Sequence, residues 1–489
     1  MPAGIDNSFT NDSPRTDNSA PHSGILNRMK TKLLGLIALS VSWHVLAEPA
    51  ATGEFVAHEW GTFTSVQGAD GLQLEWNPFI KTDLPEFVYS RNIRQGGFAG
   101  SYPLPGFLGK GEMPSFVRME TPVIYFYSDQ ERVADVRVQF PLGRITEWYP
   151  QATRLGPYAT SNKLEALQAG RSFIEWTGVK ILAGTSKEIS AGKLIRAHND
   201  KGPNHYYAAR ETDANFLRMA SPYSRTGVEY ERDLFYRGVG FMKAPLMLAL
   251  PSDENFLQLS DDLSSPLTDL FVVTIHDGNA RFQYLDRLAK DAARTVQLDA
   301  VPFAPLSDVL EKIMREMSSA LVRHGLYAKE ANAMVNTWKD QWFAEEGVRV
   351  LYLLPRAWTD QTLPLSISPR PGTISRVMVG RAELITPGME QQLSRQVTLY
   401  SQGDAGAKLQ AVNEVRRLGL GRFLEPATRK MLGKNSDKKF AQAAWSLAQE
   451  ASKEAESQTT RVVHQQTGWP LTTATKASNA SAVSAYAKF

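Results

Sequence analysis

The stretch Val272-Val-Thr-Ile-His-Asp-Gly-Asn-Ala-Arg-Phe-Gln-Tyr284 sets two runs of strand-forming residues on either side of Asp277-Gly-Asn279. A glycine between polar residues can take the positive φ that a tight reversal needs, so the segment reads as an antiparallel hairpin. A second hairpin is expected where Leu194 to His198 and His205 to Arg210 flank Asn199-Asp-Lys-Gly-Pro-Asn204. Outward from these, short apolar or alternating runs separated by Gly, Pro, Asn and Asp extend from Phe55 to about Leu298. The clearest are Phe55 to Val66, Val117 to Tyr127, Val133 to Phe140 and Phe173 to Leu182. Such spacing predicts a mainly antiparallel β region.

After Pro305 the period becomes helical. Ser307 is the expected N-cap of a helix whose Leu310, Ile313, Met314, Met317 and Leu321 form one apolar stripe ending at Gly325. Ala331, Met334, Val335, Trp338 and Trp342 repeat at the same spacing, and Gly347 closes this second helix. Val348 to Pro355 and Arg376 to Ile385 then return to strand. From Gly388 to about Glu456 several short helices follow, with Asp404 and Ser436 as N-caps and Gly419 and Gly433 at helix ends. The fold class is therefore α+β. A mainly antiparallel β-rich domain spans 48–300, a helical hairpin returning to sheet 301–387, and a small all-helical, HEAT-like C-terminal domain 388–456, with a disordered tail at 457–489.

At the other end, Lys30 and Lys32 precede an apolar run from Leu33 to Leu46, and Val45 with Ala47 form a small-residue cleavage pattern before Glu48-Pro49. This is the organisation of a secretory signal over 29–47, preceded by a polar stretch at 1–28 that reads as disordered or as an extension of the gene model. The apolar run is shorter than the roughly 20 residues that cross a bilayer, so no integral membrane segment is expected after cleavage, and the mature chain is expected in the periplasm or the medium. It carries 50 basic against 48 acidic side chains. That balance argues against nucleic acid, which needs clustered positive charge. The chain has no cysteine. Disulfides, thiolate zinc sites and cysteine nucleophiles are thereby excluded.

Four tryptophans between residues 50 and 180 each follow a glutamate: Glu59-Trp60, Glu75-Trp76, Glu147-Trp148 and Glu175-Trp176. Neighbours on a strand point to opposite faces, so the expectation is tryptophan in the core and glutamate in water. Several segments together, His58-Glu-Trp-Gly-Thr-Phe-Thr-Ser-Val66, Met119 to Ser128, Thr146-Glu-Trp-Tyr-Pro150, Phe235 to Gly240 and Leu354 to Asp360, resemble an uncharacterised family of exported bacterial proteins. The resemblance implies one architecture behind an N-terminal signal over most of the mature chain, and it brings no functional residues with it.

HExxH, Gly-x-Ser-x-Gly, phosphate-loop and EF-hand patterns are all absent from the sequence. Of the histidines, His58 is either a metal ligand or general base, or a core histidine bonded to backbone. Across the expected second hairpin His198 and His205 would face each other about 5 Å apart, close enough to share a zinc ion if a carboxylate completes the set. His276 belongs to a turn, and His324 suits a helix C-terminus. Between His205 and Arg237, tyrosines and arginines interleave, among them Tyr206, Tyr207, Arg210, Tyr230 and Arg237, together with Glu229, Glu231 and Asp233. Flat aromatic faces beside directional donors suit a polar polymer, whereas Arg and carboxylate pairs on a surface are the plainer alternative. Three function classes follow. A metal-assisted hydrolase of an envelope or extracellular polymer would use His58, His198 and His205 as ligands, possible zinc as the cofactor, and Glu59 or Glu231 as base. A non-catalytic protein would hold a glycan or peptide on Tyr206, Tyr207, Arg210, Tyr230 and Arg237. An assembly protein would dock a partner through its C-terminal helices.

Overall fold

The strand-forming runs separated by turn residues do assemble into sheets. A computed structural model of the chain describes residues 54–76, 84–85, 87–90, 115–156, 172–184, 204–251, 254–261, 263–433 and 437–467, with side chains as far as 452. Residues 1–47, His198 and the expected strand 194–198 lie outside the described residues. The strands are β1 (Phe55–Gly68), β2 (Tyr89–Ser90), β3 (Val117–Ser128), β4 (Arg132–Phe140), β5 (Gly143–Tyr149), β6 (Arg154–Gly156), β7 (Ser172–Ile181), β8 (Leu217–Ala220), β9 (Val228–Glu231), β10 (Leu234–Gly240), β11 (Leu246–Ala249), β12 (Phe256–Asp261), β13 (Leu267–His276), β14 (Asn279–Leu288), β15 (Ala293–Gln297), β16 (Ala304–Pro305), β17 (Gly347–Leu353), β18 (Leu365–Ser368) and β19 (Thr373–Ile385). The helices are α1 (Leu306–Arg323), α2 (Ala328–Phe343), α3 (Arg356–Thr362), α4 (Pro387–Gln402), α5 (Ala405–Arg417), α6 (Leu424–Leu432) and α7 (Lys438–Thr467).

The hairpin at Asp277 forms with a two-residue turn. Asp277 and Gly278 both have positive φ (47° and 73°), and His276 pairs with Asn279. Two successive left-handed residues make a type I′ turn, whose twist matches that of the strands it joins. Its strands lie in a ten-stranded sheet of order β16-β14-β13-β17-β19-β1-β3-β10-β5-β2. Along this path neighbours are antiparallel except β1 and β19, which run parallel from Val56 opposite Thr373 to Gly68 opposite Ile385. The strands of 347–385 thus share one sheet with those of 55–68. Two smaller sheets, β11-β12-β15 and β18-β4-β7-β8-β9 with β6 beside β7, complete the β structure.

Both faces of the large sheet are covered. One face packs Phe63, Met119, Ile124, Phe126 and Met378 against residues of the smaller sheets such as Val136, Trp176 and Leu257. On the other face, Val56, Trp60, Tyr125, Leu351 and Val379 meet Met317, Met334, Trp338 and Trp342 of α1 and α2. Further along that face Val66 and Ile385 join Leu393, Phe423 and Leu447 of the C-terminal helices. The methionine and tryptophan stripes are core. Because neither face meets water, every residue of β1 is buried, which is how a doubly covered strand reads as a continuous run.

This double cover corrects the expectation for the Glu-Trp pairs. All four tryptophans are buried, but only Glu75 is exposed and Glu175 half-buried; Glu59 and Glu147 are buried with their neighbours. Three further expectations are corrected. Residues 205–210 form a 3-10 helix, not a strand, because the Asn204 side chain caps it by accepting from the Tyr206 amide at 2.9 Å. Ser307 is not the cap of α1, which begins one residue earlier after Pro305; the Ser307 hydroxyl donates to Asp308 instead. The helix α7 continues to Thr467, into the stretch expected to be a tail. Asp404 caps α5 as expected, accepting from Ala407. Ser436 lies outside the described residues.

Candidate functional site

On the helix-covered face, next to the sheet end formed by β10, β5 and β2, lies a small cleft open to solvent. Five local structures build it. The 3-10 helix lays Tyr206, Tyr207, Ala209 and Arg210 along one wall. β5 ends there with Tyr149, and Leu84, Pro85, Phe87 and Val88 close the rim. β3 contributes Val123 and Thr121, β9 ends there with Glu231, and Asp233 follows in the two-residue connection to β10.

Thr121 is the strained member. Its φ is 55°, which a β-branched residue rarely adopts, and the β3 pairings with β1 and β10 both shift register around it. The Thr121 hydroxyl and the Tyr149 phenol are buried in the lining of the cleft and have no hydrogen-bond partner among the described residues. Buried polar groups are almost always paired, and both costs concentrate where a ligand can repay them. Burial, followed by the charges of Glu231 and Glu229, pushes the Tyr149 phenol far up, so it remains a donor.

Arg210 clamps Glu231 with Nε at 3.0 and 3.1 Å from the two carboxylate oxygens and Nη2 at 2.6 Å from Oε2. Its guanidinium also stacks 4.7 Å from the Tyr207 ring centre and 5.6 Å from that of Phe87. Burial opposes the Arg210 charge, but Glu231 outweighs it and holds the guanidinium above its ordinary pKa. Asp233 has the opposite environment. Burial and the neighbouring Glu231 charge raise its carboxyl well above the usual range, and Arg210 offsets only part of this.

The wall is supported from behind. Arg237 Nη1 donates to the Tyr206 phenol at 3.2 Å, and its Nη2 lies 3.7 Å from Glu120. Glu120 also accepts from Arg422 at 2.8 Å and from the Thr64 hydroxyl at 2.8 Å. Burial would raise the Glu120 pKa, yet Arg422, Arg237, Thr64 and Arg118 together lower it to about 2.

Of the residues singled out in the sequence, Tyr206, Tyr207, Arg210 and Glu231 meet in this cleft, and Arg237 braces it. Tyr230 does not line it, because alternation on β9 points it away from the side of Glu229 and Glu231. Glu59 is on the opposite face of the large sheet, where it accepts from Arg376 and from Tyr236, each at 2.5 Å. It cannot act beside Glu231. His58 is buried against α2, its Nδ1 2.7 Å from Glu330, which also accepts from the Tyr127 phenol and the Tyr327 amide. His205 Nδ1 is 2.7 Å from the carbonyl of Thr337, two turns further along the same helix. With 205–210 helical, the cross-strand pair of His198 and His205 does not arise, and among the described residues no group of three or more His, Asp or Glu side chains converges as a metal site. Asp233 enters the sequence reading only beside Glu229 and Glu231 among the carboxylates of the Tyr and Arg stretch, with no role of its own. Thr121, Tyr149 and Phe87 carried no signal, and a residue before proline, as Thr121 is, is expected to be extended.

No protein-family model and no curated protein sequence matches this chain. Among solved structures, the yeast delta-COP-I mu-homology domain is similar at 7% identity, covering 69% of this chain and all of that one, with a TM-score of 0.25. The same domain complexed with a Dsl1 WxWxV peptide aligns at 8% identity with the same coverage and TM-score. At that TM-score nothing is transferred from them to this chain.

Proposed function

We propose that this is an exported protein that holds a segment of a neutral glycan in the cleft between Tyr207, Phe87, Tyr149 and Thr121. The observation that carries the reading is the pair of buried hydroxyls on Thr121 and Tyr149 with no partner among the described residues, in a cleft lined also by the half-buried rings of Phe87 and Tyr207. Sugar hydroxyls both donate and accept, so they suit a hydroxyl-lined floor, and the apolar face of a pyranose suits an aromatic wall. The charge of Glu231 is matched by Arg210 within the cleft, which favours a neutral ligand over an ionic one.

Titration calorimetry of the mature protein against soluble cello- and chito-oligosaccharides tests it. A saturable ligand is expected, and Tyr149→Phe, which removes one hydroxyl and keeps the ring, is expected to weaken it about 5- to 10-fold, the worth of one neutral hydrogen bond. No saturation by any member, or an unchanged affinity in Tyr149→Phe, overturns the reading. Export rests on the basic, apolar and small-residue pattern of 29–47 and on the resemblance to exported bacterial proteins. A mature N-terminus at Glu48 is expected on sequencing; full-length chain retained inside the cell overturns it.

A further inference from the structure

We infer that the helix-covered face also holds a tetrahedral oxyanion, phosphate or sulfate, between Arg118 of β3 and Arg422, just before α6. The site is independent of the glycan reading, and neither arginine lines the cleft. On this face the apolar contacts of β1 break off between Trp60 and Val66, where Thr62 and Thr64 intervene, and β3 sets Glu120 and Arg118 opposite those two threonines. Both guanidinium groups lack partners along one and the same edge. Nε and Nη2 of Arg118, and Nε and Nη2 of Arg422, are buried and have no hydrogen-bond partner among the described residues. This is the edge with which Arg210 grips Glu231 and with which Arg349 and Arg381 both grip Glu383. The other three arginines have an oxyanion at that edge; these two do not.

The charges nearby do not fill the gap. Glu120 accepts from Arg422 Nη1 at 2.8 Å and lies 3.7 Å from Arg237 Nη2, so its charge is already shared. Burial lowers the Arg118 pKa to about 9; Glu120 and Glu147 oppose that fall, and the like charges of Arg237 and Arg422 add to it. Arg118 is nevertheless charged at neutral pH, and a buried cation without a matching anion is costly. The guanidinium carbons of Arg118 and Arg422 lie 4.8 and 5.5 Å from the centre of the same Trp76 ring, which keeps them in one neighbourhood. Thr62, opposite Glu120 on β1, adds a buried hydroxyl that has no partner among the described residues. A tetrahedral anion offers a separate pair of oxygens to each guanidinium edge, whereas a carboxylate has a single pair. The Arg422 side chain is 18% exposed and Arg118 is buried, so the ion enters from the Arg422 side.

The test is titration calorimetry of the mature protein, dialysed into chloride buffer at fixed ionic strength, against sodium phosphate, sodium sulfate and sodium acetate in separate runs. Saturable binding of phosphate or sulfate is expected, the tighter of the two identifying the ion, with acetate about 10-fold weaker or worse. Arg422→Gln is expected to weaken that binding about 10- to 100-fold, the worth of one charge-assisted pair. Arg422→Lys, which keeps the charge and loses the two-pronged edge, is expected to fall between. The melting temperature of the wild type should rise saturably with the bound anion, and that of Arg422→Gln should not. Circular dichroism checks the fold of each variant, and Arg118→Met takes the place of any Arg422 variant that does not fold. No saturation by phosphate or sulfate, unchanged affinity in a folded variant lacking either guanidinium, or acetate binding as tightly as both overturns the proposal.

Discussion

Asp233 shows how a single buried side chain can tie stability to pH. A carboxyl whose pKa is raised on folding favours the folded state most when both states are protonated, below the unfolded value near 3.8, and that contribution declines as pH rises toward the folded pKa. Its burial therefore costs stability at neutral pH. Asp233→Asn should accordingly melt higher than the wild type at pH 7, and the gap should close below pH 4, as read by calorimetric melting at the two pH values. A lower melting temperature at pH 7 contradicts the assignment. Glu330 is the contrasting case, a buried carboxylate that earns its place through three partners: His58, Tyr127 and the Tyr327 amide. Glu330→Ala leaves those groups buried without it and should cost about 3–5 kcal/mol in urea unfolding.

At the scale of elements, strand pairing sets the shape of the cleft. Gly238 on β10 lies opposite Ile145 of β5, and a Cβ there would sit 2.3 Å from the carbonyl oxygen of Arg144. That neighbour is backbone and cannot turn aside. Gly238→Ala should force β10 and β5 apart, cost about 1–3 kcal/mol and displace Tyr149, so that denaturant midpoint and ligand affinity fall together. Much of this level was legible in the sequence. The Asp277-Gly278 reversal declares itself because two left-handed residues are needed at once, and α1 and α2 because their Met and Trp stripes repeat every three or four residues over several turns. The four-residue strands β8 and β9 are too short to show a period, and His205 to Arg210 passes equally as a strand or a single helical turn until Asn204 caps it. The cleft was half visible: Tyr206, Tyr207, Arg210 and Glu231 are crowded in sequence, whereas Thr121 and Tyr149 reach it only through sheet pairings that bring distant segments side by side.

Across the whole molecule, charge is buried between the large sheet and the C-terminal helices. Glu120 on β3 meets Arg422, which precedes α6, and Trp76 lies beside both Arg118 and Arg422, with their guanidinium carbons 4.8 and 5.5 Å from its ring centre. Because folding lowers the Glu120 pKa from 4.5 to about 2, its contribution is complete above about pH 4.5 and is lost as pH falls toward 2. Acid unfolding followed by tryptophan fluorescence should show this loss, and Glu120→Gln should be less stable at neutral pH with a flatter acid limb. A wild-type limb that is already flat over that range argues against the ion cluster as a tie between sheet and helices.

The parallel register of β1 with β19 also sets an order of events in time. Residues 55–68 leave the ribosome, and any translocation pore, long before residues 373–385, yet each supplies one edge of the other's ladder. Until then the first strand is a sticky apolar ribbon with one side open, and closing so distant a pairing is slow. Refolding by dilution from urea should consequently take seconds or longer and lose yield steeply as protein concentration rises, and chains ending before Thr373 should aggregate. A polypeptide built this way cannot finish folding until its far end has been made.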